Sequence, residues 1–297
     1  MHATQRHGSN EKPSTAALRE LAVIVTDGPS DNALARASAA LARLFDGRLH
    51  IIRPLMLPMP AIHPWAIVTD PACASRCVQL RTAAAAHNAA LEAVLRTEQV
   101  EADMAVLETM YEAPGVLLVA ACRTMDVCIM MRPDNIPVAE TTMRGYFADL
   151  LLGSGRPVVV VPPRAAPDCL LPKRVVVAWS GTAQCARAVH EAMPLLRRAE
   201  IVEILFAAAA ASTNRSSITP ADALATYLAH HGIDANVVQE TIRHRPPAHY
   251  ILAHAERTKA TMIVAGGYGH GRLREWVMGS TTRLLFHDSP VPVFFSH

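Results

Sequence analysis

Two runs of consecutive apolar and β-branched residues, LAVIVT at 21–26 and RVVVAW at 174–179, each lead into a glycine-bearing turn and an alanine-rich segment. In the first such segment Leu34, Ala37, Leu41 and Leu44 recur at helical spacing, and in the second Ala186, Val189, Met193 and Leu196 do the same. Further strands are expected at 49–53 and 202–206. The two sets keep one offset, with position 27 matching 180 and position 51 matching 204. The offset then falls. Glu108-Thr109 matches Glu240-Thr241, and Pro157 before VVVVP matches Pro290 before VPVFF, both at a shorter separation. The chain is an internal repeat. Its first copy carries about 20 extra residues between the second and third strands. The proline-studded stretch 54–71 is the expected insert, with Trp65, Met56 and Met59 as a local apolar plug.

Each copy reads as five strands alternating with four helices, which predicts right-handed βαβ crossovers and a parallel sheet. Residues 158–161, 175–177 and 262–265 are apolar without alternation, the pattern of strands buried on both faces. The fold class is therefore α/β, with two tandem doubly wound parallel five-stranded sheets. The expected division is a tail over 1–17, a first domain over 18–163, a proline-rich linker over 164–172 and a second domain over 173–297. The strands that end each copy, at 158–161 and 291–295, are apolar. Apolar sheet edges seek cover, so these two are expected to pair within one chain as an internal pseudo-dimer. That arrangement leaves room for a homodimer as well.

Composition narrows the function. Hydrophobic residues make up 51% and charged residues 18%, which suits packed cores. The net charge of +2 from 28 basic and 26 acidic residues, with 5% aromatics, gives no footprint for nucleic acid. No apolar run is long enough to span a bilayer. The polar first residues lack a signal-peptide core, so a cytoplasmic location is expected. Six cysteines (Cys73, Cys77, Cys122, Cys128, Cys169, Cys185) show no CxxC pair and no zinc spacing, and they read as reduced thiols. His230-His231 and His244/His249 lack partners at metal-site spacing and read as solvated. No metal site is expected.

The segment VAGGYGHGRLREWVMGSTT at 264–282 carries the candidate chemistry. Gly266, Gly267 and Gly269 follow a buried strand. Gly279, Ser280 and Thr281 then open the last helix. Glycines after a strand permit positive φ and let backbone amides approach an anion. A helix N-terminus adds free N–H groups and a favourable dipole. His270 and Arg272 (with Arg274) place positive charge in the same loop. The loop leaves the carboxyl end of a parallel strand, where ligands of such sheets bind.

The spacing G-x-x-G-x9-G-S, from Gly266 to Ser280, resembles that of the universal stress protein family. The resemblance is strong from RVVVAWSG to SPVPVFF and weaker in the first copy, where VIVTDG and GRPVVVVPP carry it. It implies an adenine nucleotide alpha hydrolase-like fold and a stress-response protein that binds ATP or another adenine nucleotide. Its role would be regulatory, with at most slow ATP hydrolysis. Any Mg2+ would be held through the phosphates. By the same resemblance, an acid ends the first strand and meets the ribose. Asp27 stands there in the first copy and Ser180 in the second. The first copy has RPDNIPVAETTMRG in place of a glycine loop, and Gly153 reads as the end of a helix. The nucleotide is therefore expected in the second copy. The alternatives are a nucleotide-free interaction module and a weak ATP hydrolase.

Overall fold

The computed structural model describes residues 17–26, 28–60, 70–132, 137–209, 219–242, 244–267 and 279–297. In the first half, β1 (Glu20–Ile24), β2 (Arg48–Met56), β3 (Ala102–Thr109), β4 (Val127–Met131) and β5 (Val158–Val161) alternate with four helices. These are α1 (Asp31–Phe45), α2 (Pro71–Thr97), α3 (Pro114–Cys122) and α4 (Pro137–Gly153). The second half repeats the order with β6 (Arg174–Trp179), β7 (Ile201–Ala209), β8 (Ala235–Ile242), β9 (Met262–Gly266) and β10 (Val293–Ser296). Its helices are α5 (Ala183–Leu196), α6 (Pro220–His230), α7 (Pro247–Thr258) and α8 (Ser280–Asp288). The alternation expected from the repeat is present in full.

The strands form one sheet in the palindromic order β3-β2-β1-β4-β5-β10-β9-β6-β7-β8. Every neighbour is parallel except β5 and β10, which pair antiparallel with Val159 opposite Phe294. The edge pairing expected from the repeat thus joins the two five-stranded units. Because that pair is antiparallel, the carboxyl ends of the two parallel units face opposite edges of the sheet. Alternate residues of each strand enter opposite cores. Val23 and Val25 pack among α1, α5 and α6, whereas Ala22 and Ile24 pack among α3, α4, α7 and α8. Double-sided burial explains the uninterrupted apolar strands. At the seam, Phe147 of α4 stacks near Phe286 of α8 and Phe295 of β10, at ring separations of 5.0 and 5.1 Å. Glu140 meets His287 there at 3.3 Å.

The extra residues of the first copy sit elsewhere than expected. α2 has 27 residues and α6 has 11, so most of the excess is helix. Pro54 pairs within β2, opposite Leu107. Met56 and Met59 are 51% and 59% exposed, so they are no plug. Leu55 and Leu57 bury instead against Cys77 and Ala84 of α2. Trp65 lies outside the described residues. The buried residues of α2, namely Cys77, Ala84, Leu91 and Leu95, form one narrow stripe. Such a helix covers a sheet rim and carries a weak amphipathic signal.

Candidate functional site

β6 and β9 are neighbours, with Ala178 opposite Ala265. The chain leaves β6 toward β7 on one side, and β9 borders β10 on the other. Their carboxyl ends therefore flank the topological switch point of the second half, where open parallel sheets bind ligands. Ser180, Gly266 and Gly267 lie at that edge, and α8 starts beyond it.

From β6 the chain turns through Gly181, at φ +72°. That left-handed conformation favours glycine. Thr182 caps α5 by accepting from the Cys185 N–H. The Ser180 hydroxyl lies 3.2 Å from Cys185 Sγ and 3.3 Å from Thr182 Oγ1, tied into the first turn of α5.

Gly266 is a site of close approach. A Cβ there would lie 2.7 Å from the Cys185 nitrogen and 2.8 Å from the Gln184 carbonyl carbon. Gly267 donates its N–H to the Ser296 carbonyl at 2.7 Å, and its own carbonyl faces His297 Nδ1 at 3.0 Å. Its Cβ would strike Leu151 Cδ2, on α4 of the other half, at 2.6 Å. The expectation of positive φ at these glycines is corrected: Gly155, Gly181 and Gly232 are the described glycines that adopt it. Gly266 makes room for α5 and Gly267 for α4.

Gly279 differs. It caps α8 at φ −52° and ψ 143°, and a Cβ there would meet nothing within 4 Å. The first backbone bond at this end runs from the Arg283 N–H to the Gly279 carbonyl at 3.0 Å. The N–H groups of Ser280 and Thr281, in the first turn, have no partner four residues back within the helix. Ser280 is exposed and Thr281 half-buried. Gly269, His270 and Arg272, like Asp27 in the first half, lie outside the described residues.

The equivalent corner of the first half is built otherwise. The stretch from the end of β4 at Met131 to the end of α4 at Gly153 is as long as that from the end of β9 at Gly266 to the end of α8 at Asp288. The lengths are equal, but α4 has 17 helical residues and α8 has 9.

At the carboxyl ends of β1 and β2 the first half holds a polar cluster that the repeat pattern did not single out. Asp31, in the first turn of α1, accepts from the Thr26 N–H at 3.2 Å and lies 3.2 Å from His87 Nε2. Burial raises its carboxyl pKa, while His87, the Thr26 N–H and Arg53 oppose that rise. Arg53 is 1% exposed and donates from Nε to Asn88 Oδ1 at 2.7 Å. A lone arginine in the apolar run LHIIRPL was the available signal. The second half has its ion network at the other end of its strands. There Glu203 meets Arg174 at 3.0 Å and His254 at 3.1 Å.

Residues 172–297 match the model of the Universal stress protein family. The whole chain is similar to a universal stress protein from Archaeoglobus fulgidus DSM 4304, at 16% identity and a TM-score of 0.70, covering 94% of this chain and 96% of that one. A functionally unknown protein from Pseudomonas aeruginosa PAO1 matches at 15% identity and a TM-score of 0.58, with coverages of 94% and 92%. At those identities the likeness shows the fold. No curated protein matches the sequence. Among the described residues, no helix is long and apolar enough to cross a membrane.

Proposed function

We propose that the chain is a stress-response protein that binds an adenine nucleotide in its second half, at the carboxyl edge between β6 and β9. The observation that carries this reading is the start of α8. A Cβ at Gly279 would meet nothing within 4 Å, the first-turn amides have no helical carbonyl to bond, and the helix dipole favours a phosphate there. The family match of residues 172–297 supports the same end of the sheet. In this reading Gly279, Ser280 and Thr281, with Gly269, His270 and Arg272, hold the phosphates of ATP. Gly266 and Gly267 shape the floor, and Ser180 borders the ribose. Residues 18–163 and 173–297 act as two domains, and one of them carries ligand. No carboxylate stands among these residues. A Mg2+ ion would therefore be held by phosphate and water, and no group is placed as general base. The role is regulatory, in the cytoplasm, with slow hydrolysis at most. Nucleotide released from purified, heat-denatured protein tests it, together with calorimetric titration by ATP. No released nucleotide and no ATP affinity would overturn it.

A second reading rests on a specific observation. Gly266 and Gly267 are explained by packing, and the Ser180 hydroxyl is engaged within its own turn. A nucleotide-free module that retains the fold for partner docking would show these same features. The titration separates the two.

A further inference from the structure

Cys73 and Cys77 lie four residues apart near the start of α2, so their side chains share one face of the helix. The Cys77 thiol is 5% exposed, in a small core with Leu55 and Leu57, and Cys73 and Met110 pack half-buried against it. Cys73 Sγ lies 3.3 Å from the Pro58 carbonyl oxygen. The Cys73 thiol adjoins the Cys77 thiol, and the Asp70 carboxylate at the helix N-cap is near Cys73. Two thiols and the Met110 side chain therefore border one satellite core, apart from the site of the second half.

We propose that Cys73 and Cys77, with Met110 as a third ligand, form a site for one soft monovalent metal ion, Cu(I) being the biological candidate. Thiolate and thioether donors select such ions over hard ones. A soft cation takes the thiols as thiolates and releases their protons to solvent. Cys73 is the third residue of α2, so the helix N-terminus stabilises the anionic dithiolate. The donor set also argues against zinc. Among the described residues no three His, Cys, Asp or Glu side chains are grouped to hold a metal, and structural zinc takes four such donors. The other close pair, Cys122 and Cys128, is fully buried, and Cys122 raises the Cys128 thiol well above its ordinary value. The half-exposed Cys73 offers an entry path that this pair lacks.

The test is anaerobic titration of the reduced full-length chain with Cu(I) against a chromophoric chelator. One ion per chain is expected to be withdrawn from the chelator. That uptake should be lost in Cys73→Ser, weakened in Met110→Leu and retained in Cys169→Ser. Because Cys77 is buried, the half-exposed Cys73 supplies the deciding variant, with circular dichroism confirming its fold. Uptake unchanged in Cys73→Ser would overturn the proposal. So would a reduced wild type that takes up no Cu(I), including one in which air merely links the two thiols as a disulfide.

Discussion

The two halves of the sheet use the same length of chain differently between the fourth strand and the end of the next helix. In the first half a long α4 follows β4 closely, and its middle and end pack at the seam. In the second half the shorter α8 starts at Ser280, with Gly279 as its N-cap. The switch-point corners differ in the same sense. One holds buried Asp31 beside half-buried His87, with buried Arg53 nearby, and the other holds Ser180 and glycines. Side chains fill one corner, while glycines let neighbouring helices approach closely at the other.

The largest expected effect breaks the filled corner. Arg53→Met removes a buried cation that bonds Asn88 and offsets the Asp31 charge. Removing a buried, hydrogen-bonded cation of this kind should cost about 3 kcal/mol. Chemical denaturation should show that loss while ATP affinity stays unchanged. A matching loss of affinity would mean that the two corners are coupled across the sheet.

Next comes a contrast between two glycines of the second-half corner. Gly279→Val places its Cβ in empty space at a φ any residue adopts. Its melting temperature should hold, while ATP affinity falls at least about tenfold, or about 1.4 kcal/mol. Gly267→Val drives a side chain against Leu151 across the seam. Overpacking of that kind should cost about 1–3 kcal/mol of stability. Parallel calorimetry and thermal melts check both. If Gly279→Val retains full affinity, the start of α8 is not the phosphate site.

These glycines also mark how far the sequence could be read. The alternating order, the buried strands, the β5–β10 pairing and the helix end at Gly153 all follow from apolar pattern and repeat spacing. Those properties are local or periodic. The roles of Gly266 and Gly267 are neither, because a missing side chain does not say whether it makes room for a ligand or for α5 and α4. The extension of α2 was hidden for a related reason. Its buried stripe of Cys77, Ala84, Leu91 and Leu95 is narrow, and the prolines nearby were the louder signal. The cluster around Asp31 depends on contacts between residues far apart in the chain, which periodicity does not report.

The third prediction concerns pH. Burial raises the folded-state pKa of Asp31, so the folded protein binds a proton more readily there than the unfolded chain. That contribution to stability is fully present below the unfolded carboxyl pKa and is lost as pH rises through the raised folded value. His87 and Arg53 face the same carboxyl and oppose the shift. Asp31→Asn keeps the group neutral throughout. As pH rises above about 4, the ordinary carboxyl range, wild type should therefore lose stability relative to the variant. Denaturant midpoints above that pH measure it. The opposite slope would show that pairing with His87 outweighs burial.

The smallest expected effect gives the second-half corner the acid that the first half carries at position 27. Ser180→Asp would exchange a hydroxyl that binds Cys185 and Thr182 for a carboxylate beside the start of α5. The α5 dipole favours that charge, so the fold should tolerate it. A charge-assisted hydrogen bond to a ribose hydroxyl exceeds a neutral one by enough to tighten binding about two- to fivefold. The new charge also repels phosphates, and the repulsion grows with their number. AMP should therefore gain more affinity than ATP. Titration of wild type and variant with both nucleotides isolates the two terms. Equal weakening for both would place the ribose away from the end of β6, and the assignment of Ser180 to the site would fall.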